Sequence, residues 1–265
     1  MSQHPLKAYK NLEFLNSQEA RLIRVQCEMV ETKSRLAANG VRDTMVFFGS
    51  ARMRSSEDAA KGLQEAEAAM AAGTEGAEQA LERARMQVRT APYYEAAREL
   101  ARRLTEWSMA SPERNYFICS GAGPGIMEAA NRGASEVPGG RSVGLGISLP
   151  FEAGNNDYVT PELSFEFHYF FTRKYWFLYM AKALVIFPGG FGTMDELFET
   201  LTLIQTKKIN RKLPIVLYGT DYWDPILNVD VMADFGTISR ADLDLMHRSN
   251  SVDDAFAYLT GQLEG

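Results

Sequence analysis

Residues 183–199 read ALVIFPGGFGTMDELFE, and they change character twice. An apolar, β-branched run, ALVIF, is broken by proline and glycine and gives way to a helical pattern. A short apolar strand that feeds a glycine-rich loop and then a helix is the repeating unit of a parallel sheet covered on both faces. Working outward, the unit recurs. TMVFFGS (44–50) is an apolar run ending in Gly-Ser, and NYFICS (115–120) leads through GAGPG into the helix IMEAANRGAS (126–135). SVGLGISL (142–149) and PIVLYG (214–219) are further strands. Helices are expected from Pro92 to about Met109, from near Thr172, from about Met194 to Lys207, near 221–233, and from Ser251 to Leu263. Strand and helix alternate, so the expected fold class is α/β, a doubly wound, mainly parallel, Rossmann-like sheet. Ligands in such sheets sit beyond the carboxyl ends of the strands, so the loops FGSAR, SGAGPG and FPGGFGT should converge on one crevice.

Two segments lie outside this alternation. Residues 17–38 carry apolar side chains at Leu22, Val25, Met29 and Leu36, with NSQE ahead as a capping box and Gly40 behind as a stop. Residues 56–90 place Ala59, Leu63, Ala66 and Met70, then Ala77, Leu81, Ala84 and Val88, around AGTEG. That spacing predicts an antiparallel helical hairpin with a thin apolar seam, which buries too little to stand alone. The expected organisation is an N-terminal helical extension (1–40) and one nucleotide-binding domain (41–265), with the hairpin inserted at about 55–90. Residues 149–162 read as irregular, LSFEFHYF (163–170) as apolar, His247 as part of a loop, and SNSVDDAF (249–256) as leading into an N-capped helix.

Composition narrows the function. The 265 residues hold 34 acidic and 28 basic side chains, a formal charge of -6, so no global basic field draws nucleic acid or anionic lipid. The two cysteines, Cys27 and Cys119, are far apart and suggest neither a disulfide framework nor a metal cluster. A reducing, cytosolic compartment is expected. No apolar segment approaches the length of a membrane span, and the N-terminus lacks a basic region followed by an apolar run, so a soluble protein is expected.

The glycine loops invite a phosphate. In CSGAGPGIMEAAN the spacing is G-x-G-x-G, not the dinucleotide G-x-G-x-x-G, and the next strand ends GISLP without the acidic residue that would hold an NAD ribose. The absence of a Walker A lysine removes the P-loop reading. Pro124 at a first helical position would account for that proline, but not for three glycines together. In FPGGFGTMDE, glycines 189, 190 and 192 leave the backbone free to wrap an anion at the start of a helix. The competing structural reading is a capping box, Thr193 at the N-cap and Glu196 at N3. Arg173 and Lys174 sit in the first turn of the helix expected from Thr172, where the macrodipole penalises cations by about 0.3–1 kcal/mol each. They imply a compensating anion, either a carboxylate or a ligand phosphate. His168 has no second histidine or cysteine at metal spacing, so a packed or hydrogen-bonded role is expected and no metal. The aromatic run around it and YWFLY (175–179) could flank a base, but strand and helix core is the favoured reading.

Taken together, FFGSAR, SGAGPGIMEAANRGA, SLPFEAGNNDYV, EFHYFFTRK and PGGFGTMDE resemble the LONELY GUY family, whose members often carried the older label lysine decarboxylase. The resemblance covers about residues 41–260 apart from the hairpin. It implies a nucleoside 5′-monophosphate phosphoribohydrolase, releasing a free base and ribose 5-phosphate from AMP or a cytokinin nucleotide. It also implies the catalytic pair Arg173 and Glu196, a phosphate loop of Gly189, Gly190, Gly192 and Thr193, and a nucleotide pocket at Gly121, Gly123, Gly125 and Met127. Breaking an N-glycosidic bond develops positive charge on the ribose, so a carboxylate there can stabilise it, bind hydroxyls or activate water. Arg173 would orient that carboxylate and the nucleotide. Lys174 would strengthen the phosphate field, and Ser50 and Arg52 are weaker binding candidates. No cofactor is expected, and no lysine stands out as a Schiff-base former, so the decarboxylase label has no chemical support. Compact relatives are commonly homodimers, which implies a homodimer or higher homo-oligomer here. The alternative reading is a nucleotide or molybdenum-cofactor carrier or sensor that uses the same crevice without turnover.

Overall fold

The computed structural model describes residues 5–149 and 154–264. Residues 150–153 of the SLPFEAGNNDYV motif therefore lie outside the described residues, as do Met1–His4 and Gly265. The strands are β1 (Asp43–Phe48), β2 (Tyr116–Ser120), β3 (Ser142–Ile147), β4 (Ser164–Phe167), β5 (Ala181–Ile186), β6 (Ile215–Tyr218) and β7 (Met246–Ser249). The helices are α1 (Leu12–Asn16), α2 (Arg21–Ala38), α3 (Ser56–Ala71), α4 (Ala77–Met109), α5 (Ile126–Ser135), α6 (Phe170–Tyr179), α7 (Phe191–Gln205), α8 (Thr220–Ile226), α9 (Val229–Asp234) and α10 (Val252–Glu264).

The seven strands form one sheet in the order β4-β3-β2-β1-β5-β6-β7, and every pairing is parallel. Both sheet faces are covered, as the near-continuous apolar strands require. On β1, Met45 and Phe47 pack into the cluster that takes Tyr94, Leu100 and Leu104 of α4 and Leu259 of α10, while Val46 and Phe48 pack into the cluster with Leu36 of α2, Trp176 of α6 and Leu197 of α7. The fold is thus doubly wound. The chain reverses its direction of travel at β1, whose neighbours are β2 and β5. Loops 49–55 and 187–190 leave the carboxyl ends of those two central strands, and this switch point is where an open parallel sheet parts to make a crevice.

Several sequence expectations shift. The capping box at NSQE is not formed. Helix α2 starts at Arg21 behind Ala20, with no side-chain cap, and Leu22 is exposed while Leu36 is buried. The hairpin is present, turning at Gly73 and Gly76, both with positive φ. Its second helix, however, does not end before Pro92. Helix α4 runs unbroken through that proline to Met109. The seam is narrower than the pattern suggested: Ala59, Ala66, Ala77 and Ala84 are buried, while Met70, Met86 and Val88 are exposed. Residues 221–233 form two short helices, α8 and α9, not one. His247 lies on strand β7, not in a loop. MHRS is a polar edge strand, and only its pairing with β6 reveals it.

Cys119 is fully buried on β2, where burial pushes its thiol far above the ordinary range. Cys27 is exposed on α2. Among the described residues, no helix is long and apolar enough to cross a membrane.

Candidate active site

Two of the three glycine loops open onto one cleft of about 630 Å³ at the switch point, through residues 49–52 and 190–193, and Gly189 is not among its lining residues. Its floor and walls come from residues 48–52 after β1, from Gly121 and Met127 around the start of α5, from Phe170, Arg173 and Phe177 of α6, and from residues 190–193 with Asp195 and Glu196 of α7. The loop after β2 contributes only in part. Gly123 lines a small adjoining recess, and Gly125 lies below the surface of the cleft.

Helix α7 begins earlier than its Thr-x-x-Glu pattern suggests. Gly190 is the N-cap and makes no side-chain cap bond, Phe191 is the first helical residue, and Thr193 and Glu196 both lie inside the helix. The capping-box reading is therefore overturned by the helix register. The first internal bond runs from the Met194 N–H to the Gly190 carbonyl. The N–H groups of Phe191, Gly192 and Thr193 thus precede the hydrogen-bonded ladder, at the positive end of the helix dipole and on the wall of the cleft.

The glycines divide by what they are needed for. A Cβ on Gly189 would strike Thr193 Oγ1 at 2.2 Å, and one on Gly125 would strike the Ser50 carbonyl oxygen at 2.3 Å, with φ at +72°. Folding alone requires glycine at both. A Cβ on Gly190 or Gly192 would meet nothing within 4 Å, and neither has positive φ. Packing gives no reason for glycine at those two positions, and both face the cleft.

Freed from the cap, Glu196 turns inward. It is 4 % exposed, and among the described residues its Oε2 has no hydrogen-bond partner. Burial raises its pKa to about 7, against the opposing pull of Lys174 and Arg173. A buried carboxyl with an uncommitted oxygen on a cleft wall is primed to receive a hydroxyl or to exchange a proton near neutrality. Arg173 lies on the same cleft, with its guanidinium 5.1 Å from the Phe170 ring and 5.4 Å from Phe177. Helix α6 starts at Phe170, not Thr172, so Arg173 closes the first turn and Lys174 opens the second.

Lys174 is not among the cleft-lining residues. Its ammonium bonds Asp195 at 2.7 Å and Glu199 at 2.8 Å, and lies 3.9 Å from Glu196 Oε1. Burial pulls its pKa down, but the two carboxylates outweigh that and hold it above the ordinary value. Its compensating anions are thus the acidic side chains of α7, which it ties to α6.

Ser50 lines the cleft and acts largely through its backbone. Its N–H donates to the Pro188 carbonyl, its carbonyl accepts from the Ile126 N–H, and its Oγ accepts from the Arg52 N–H. One residue thereby joins all three loops. His168 is exposed and its ring meets Tyr169 edge-on at 4.7 Å. Trp176 and Phe177 are core, while Tyr175 and Tyr179 are exposed.

Sequence reasoning missed three contributors. Asn156 donates to the carbonyls of Ala122 and Gly123 and to Asn131 Oδ1, and Asn131 in turn joins Ser120 and Ser142. This buried network holds the SGAGPG loop, with Ala122 at φ 60°. Tyr222 donates its hydroxyl to the Gly189 carbonyl at 2.6 Å. Asp195 lines the cleft beside Glu196. Asn156 falls within the SLPFEAGNNDYV stretch and Asp195 one residue before the motif glutamate, so both had a signal in the sequence, while Tyr222 had none.

The family model described as possible lysine decarboxylase matches residues 127–259, from α5 to α10. The chain is also similar to the pyrimidine/purine nucleotide 5′-monophosphate nucleosidase of Escherichia coli strain K12. The two are 29 % identical over 119 residues, which covers 40 % of this chain and 25 % of that protein. The same values hold for the proteins of that name from Escherichia coli O6:H1 and O157:H7. The chain therefore spans about a quarter of the length of these curated relatives.

Proposed function

The chain belongs to the family described as possible lysine decarboxylase, and from that premise we propose that it hydrolyses the N-glycosidic bond of purine nucleoside 5′-monophosphates to free base and ribose 5-phosphate. The observation that carries this reading is the Glu196 carboxyl, buried with an uncommitted oxygen, on the same cleft as the free amides of α7. The relatives' printed name, a nucleotide 5′-monophosphate nucleosidase, supports the same class of reaction.

In this reading the phosphate docks on the N–H groups of Phe191, Gly192 and Thr193, which need no rearrangement to receive it. Gly190 and Gly192 leave it room. The ribose then lies over Glu196, which holds its hydroxyls and, once ionised, stabilises the positive charge that develops as the C–N bond breaks and activates the attacking water. Arg173 orients the carboxylate and the nucleotide with a planar set of donors. The base lies against the apolar wall of Phe48, Met127, Ile147, Leu149 and Phe177, a surface suited to a flat purine such as adenine or its isopentenylated form.

A homodimer or higher homo-oligomer belongs to the same proposal. Phe191 is 92 % exposed at the cleft, and Phe170, Phe171, Tyr175 and Tyr179 of α6 are exposed too, an apolar patch of the kind that marks an interface. Sedimentation of the intact chain tests it, and a single monomeric species would count against it.

Chromatography of AMP incubated with the protein decides the activity. Wild type should release adenine, while Glu196→Gln and Arg173→Ala each lose at least about 100-fold in turnover, the usual scale for a lost acid–base or orienting group. Undiminished release by Glu196→Gln would remove the catalytic assignment, and tight nucleotide binding without release by wild type would favour a carrier.

A further inference from the structure

Helix α6 presents Arg173 to the cleft, yet the helix has no cap of its own. Its N-cap is Tyr169, whose side chain makes no capping bond. The first internal bond of the helix, from the Arg173 N–H to the Tyr169 carbonyl, is long at 3.3 Å. Two cationic side chains follow within five residues of the helix start, where the dipole opposes them.

In place of a cap, the first turn is clamped by another element. Glu28, on α2, accepts the His168 N–H at 2.8 Å through Oε1 and meets the Thr172 hydroxyl through Oε2. Thr172 is buried, and its hydroxyl also lies 2.7 Å from the Tyr169 carbonyl. One carboxylate therefore spans the last residue before the N-cap and the third residue of the helix. Arg21, on the same α2, lays its guanidinium 5.5 Å from the Tyr169 ring. The segment that fixes the direction of Arg173 is gripped by the N-terminal extension.

We propose that Glu28 is a positioning residue for Arg173: its carboxylate, supplied to α6 by helix α2, clamps the His168 N–H before the helix and the Thr172 hydroxyl within its first turn, and so fixes that turn and the guanidinium on the cleft. The N-terminal extension is thereby a working part of the site. This rests on the hydrolase reading above for its kinetic consequence, but its structural content stands apart from it.

The test uses the intact chain with Glu28→Ala and Glu28→Gln, and Leu36→Ala as a control. Glutamine is the informative variant. Its oxygen can accept from His168 and its nitrogen can donate to the Thr172 hydroxyl, which then donates to Tyr169. The geometry predicts that Glu28→Ala lowers kcat for base release on the order of ten-fold, with a smaller change in KM, because alignment is lost at the reacting sugar. Glu28→Gln restores most of that loss. Leu36→Ala loosens the packing of the same helix two turns away, so it lowers Tm and leaves kcat near wild type. Amide hydrogen exchange supplies a readout free of activity. Exchange across residues 168–174 should quicken in Glu28→Ala, stay near wild type in Glu28→Gln, and change in neither across β1.

Glu28→Ala with wild-type turnover and wild-type exchange overturns the proposal, as does Glu28→Gln as impaired as Glu28→Ala. A Leu36→Ala variant that loses kcat to the same extent reduces Glu28 to general support of α2. If wild type releases no base at all, the hydrolase reading fails by itself, and the clamp stands or falls on the exchange pattern.

Discussion

Glu196 bears its charge at an energetic disadvantage, and that sets how the protein answers pH. An ordinary glutamate ionises near 4.5, whereas burial raises this one to about 7. Below about pH 4.5 both the folded and unfolded chains hold the proton. Between there and about 7 the unfolded chain releases it while the folded chain retains it, so stability falls as pH rises, at a slope approaching about 1.4 kcal/mol per unit. Above about 7 the contribution is lost and the curve flattens. Denaturant unfolding of wild type and Glu196→Gln from pH 5 to 8 should show the glutamine variant gaining relative stability up to about 7 and then running parallel. Curves parallel throughout would mean that Glu196 ionises normally. The proposed role ties turnover to the same proton. If the ionised Glu196 activates water, as proposed, kcat/KM should climb through an apparent pKa near 7, and an activity that instead falls with rising pH over this range would make Glu196 the acid.

At the scale of elements, the start of α7 was read partly correctly. The glycine run and the helix after it were legible because proline and glycine punctuate so strongly. The register was not, since Thr-x-x-Glu fits a capping box whose helix would start at Met194, three residues after the observed start at Phe191. The helix starts early because Gly190 takes the extended N-cap geometry and Gly189 must lie flat against Thr193. Two substitutions separate folding from binding here. Gly192→Ala should leave Tm unchanged or higher, since alanine is favoured over glycine in a helix by about 1 kcal/mol and meets no neighbour. It should nonetheless raise KM for the nucleotide by about ten-fold or more, because the methyl enters the space proposed for phosphate. Gly125→Ala should do the reverse and cost stability, since the new methyl collides with the Ser50 carbonyl. Equal effects of the two on KM and Tm would erase the distinction. What distant partners hold stayed illegible: α6 was expected as a helix, but the clamp at its start comes from a residue about 140 positions away, and β7 is recognisable only by its pairing with β6.

Over the whole molecule, the alternation of apolar runs and helices was enough to predict the doubly wound sheet, because strands buried on both faces leave little ambiguity in composition. Pro92 misled the reading of the arm. Proline favours a helix start, yet α4 passes through it and carries the arm and the core helix as one rod. We regard the arm as an insertion separable from the body, since its buried side chains between residues 56 and 90 are alanines that belong to neither core cluster. The Ser56 N–H lies 2.8 Å from Glu95 Oε1, so the two ends of the insertion are close. Deleting residues 57–90 would join Ser56 to Ala91 and leave Pro92 near the helix start. That variant should fold, melt within about 5 °C of the full chain, and match the full chain in the proposed base release. An unfolded or inactive product would make the arm part of the body.

The two cysteines differ in a way that the experiments above can use. Cys119 is enclosed in β2 and holds its proton tightly, whereas Cys27 is exposed on α2, next to Glu28. Thiolate, not thiol, reacts with alkylating reagents. A maleimide dye added to the native chain should therefore attach once, at Cys27, with no residue replaced. The label would stand beside the contact between α2 and α6, so its fluorescence becomes a direct gauge of whether that contact loosens as nucleotide enters and leaves.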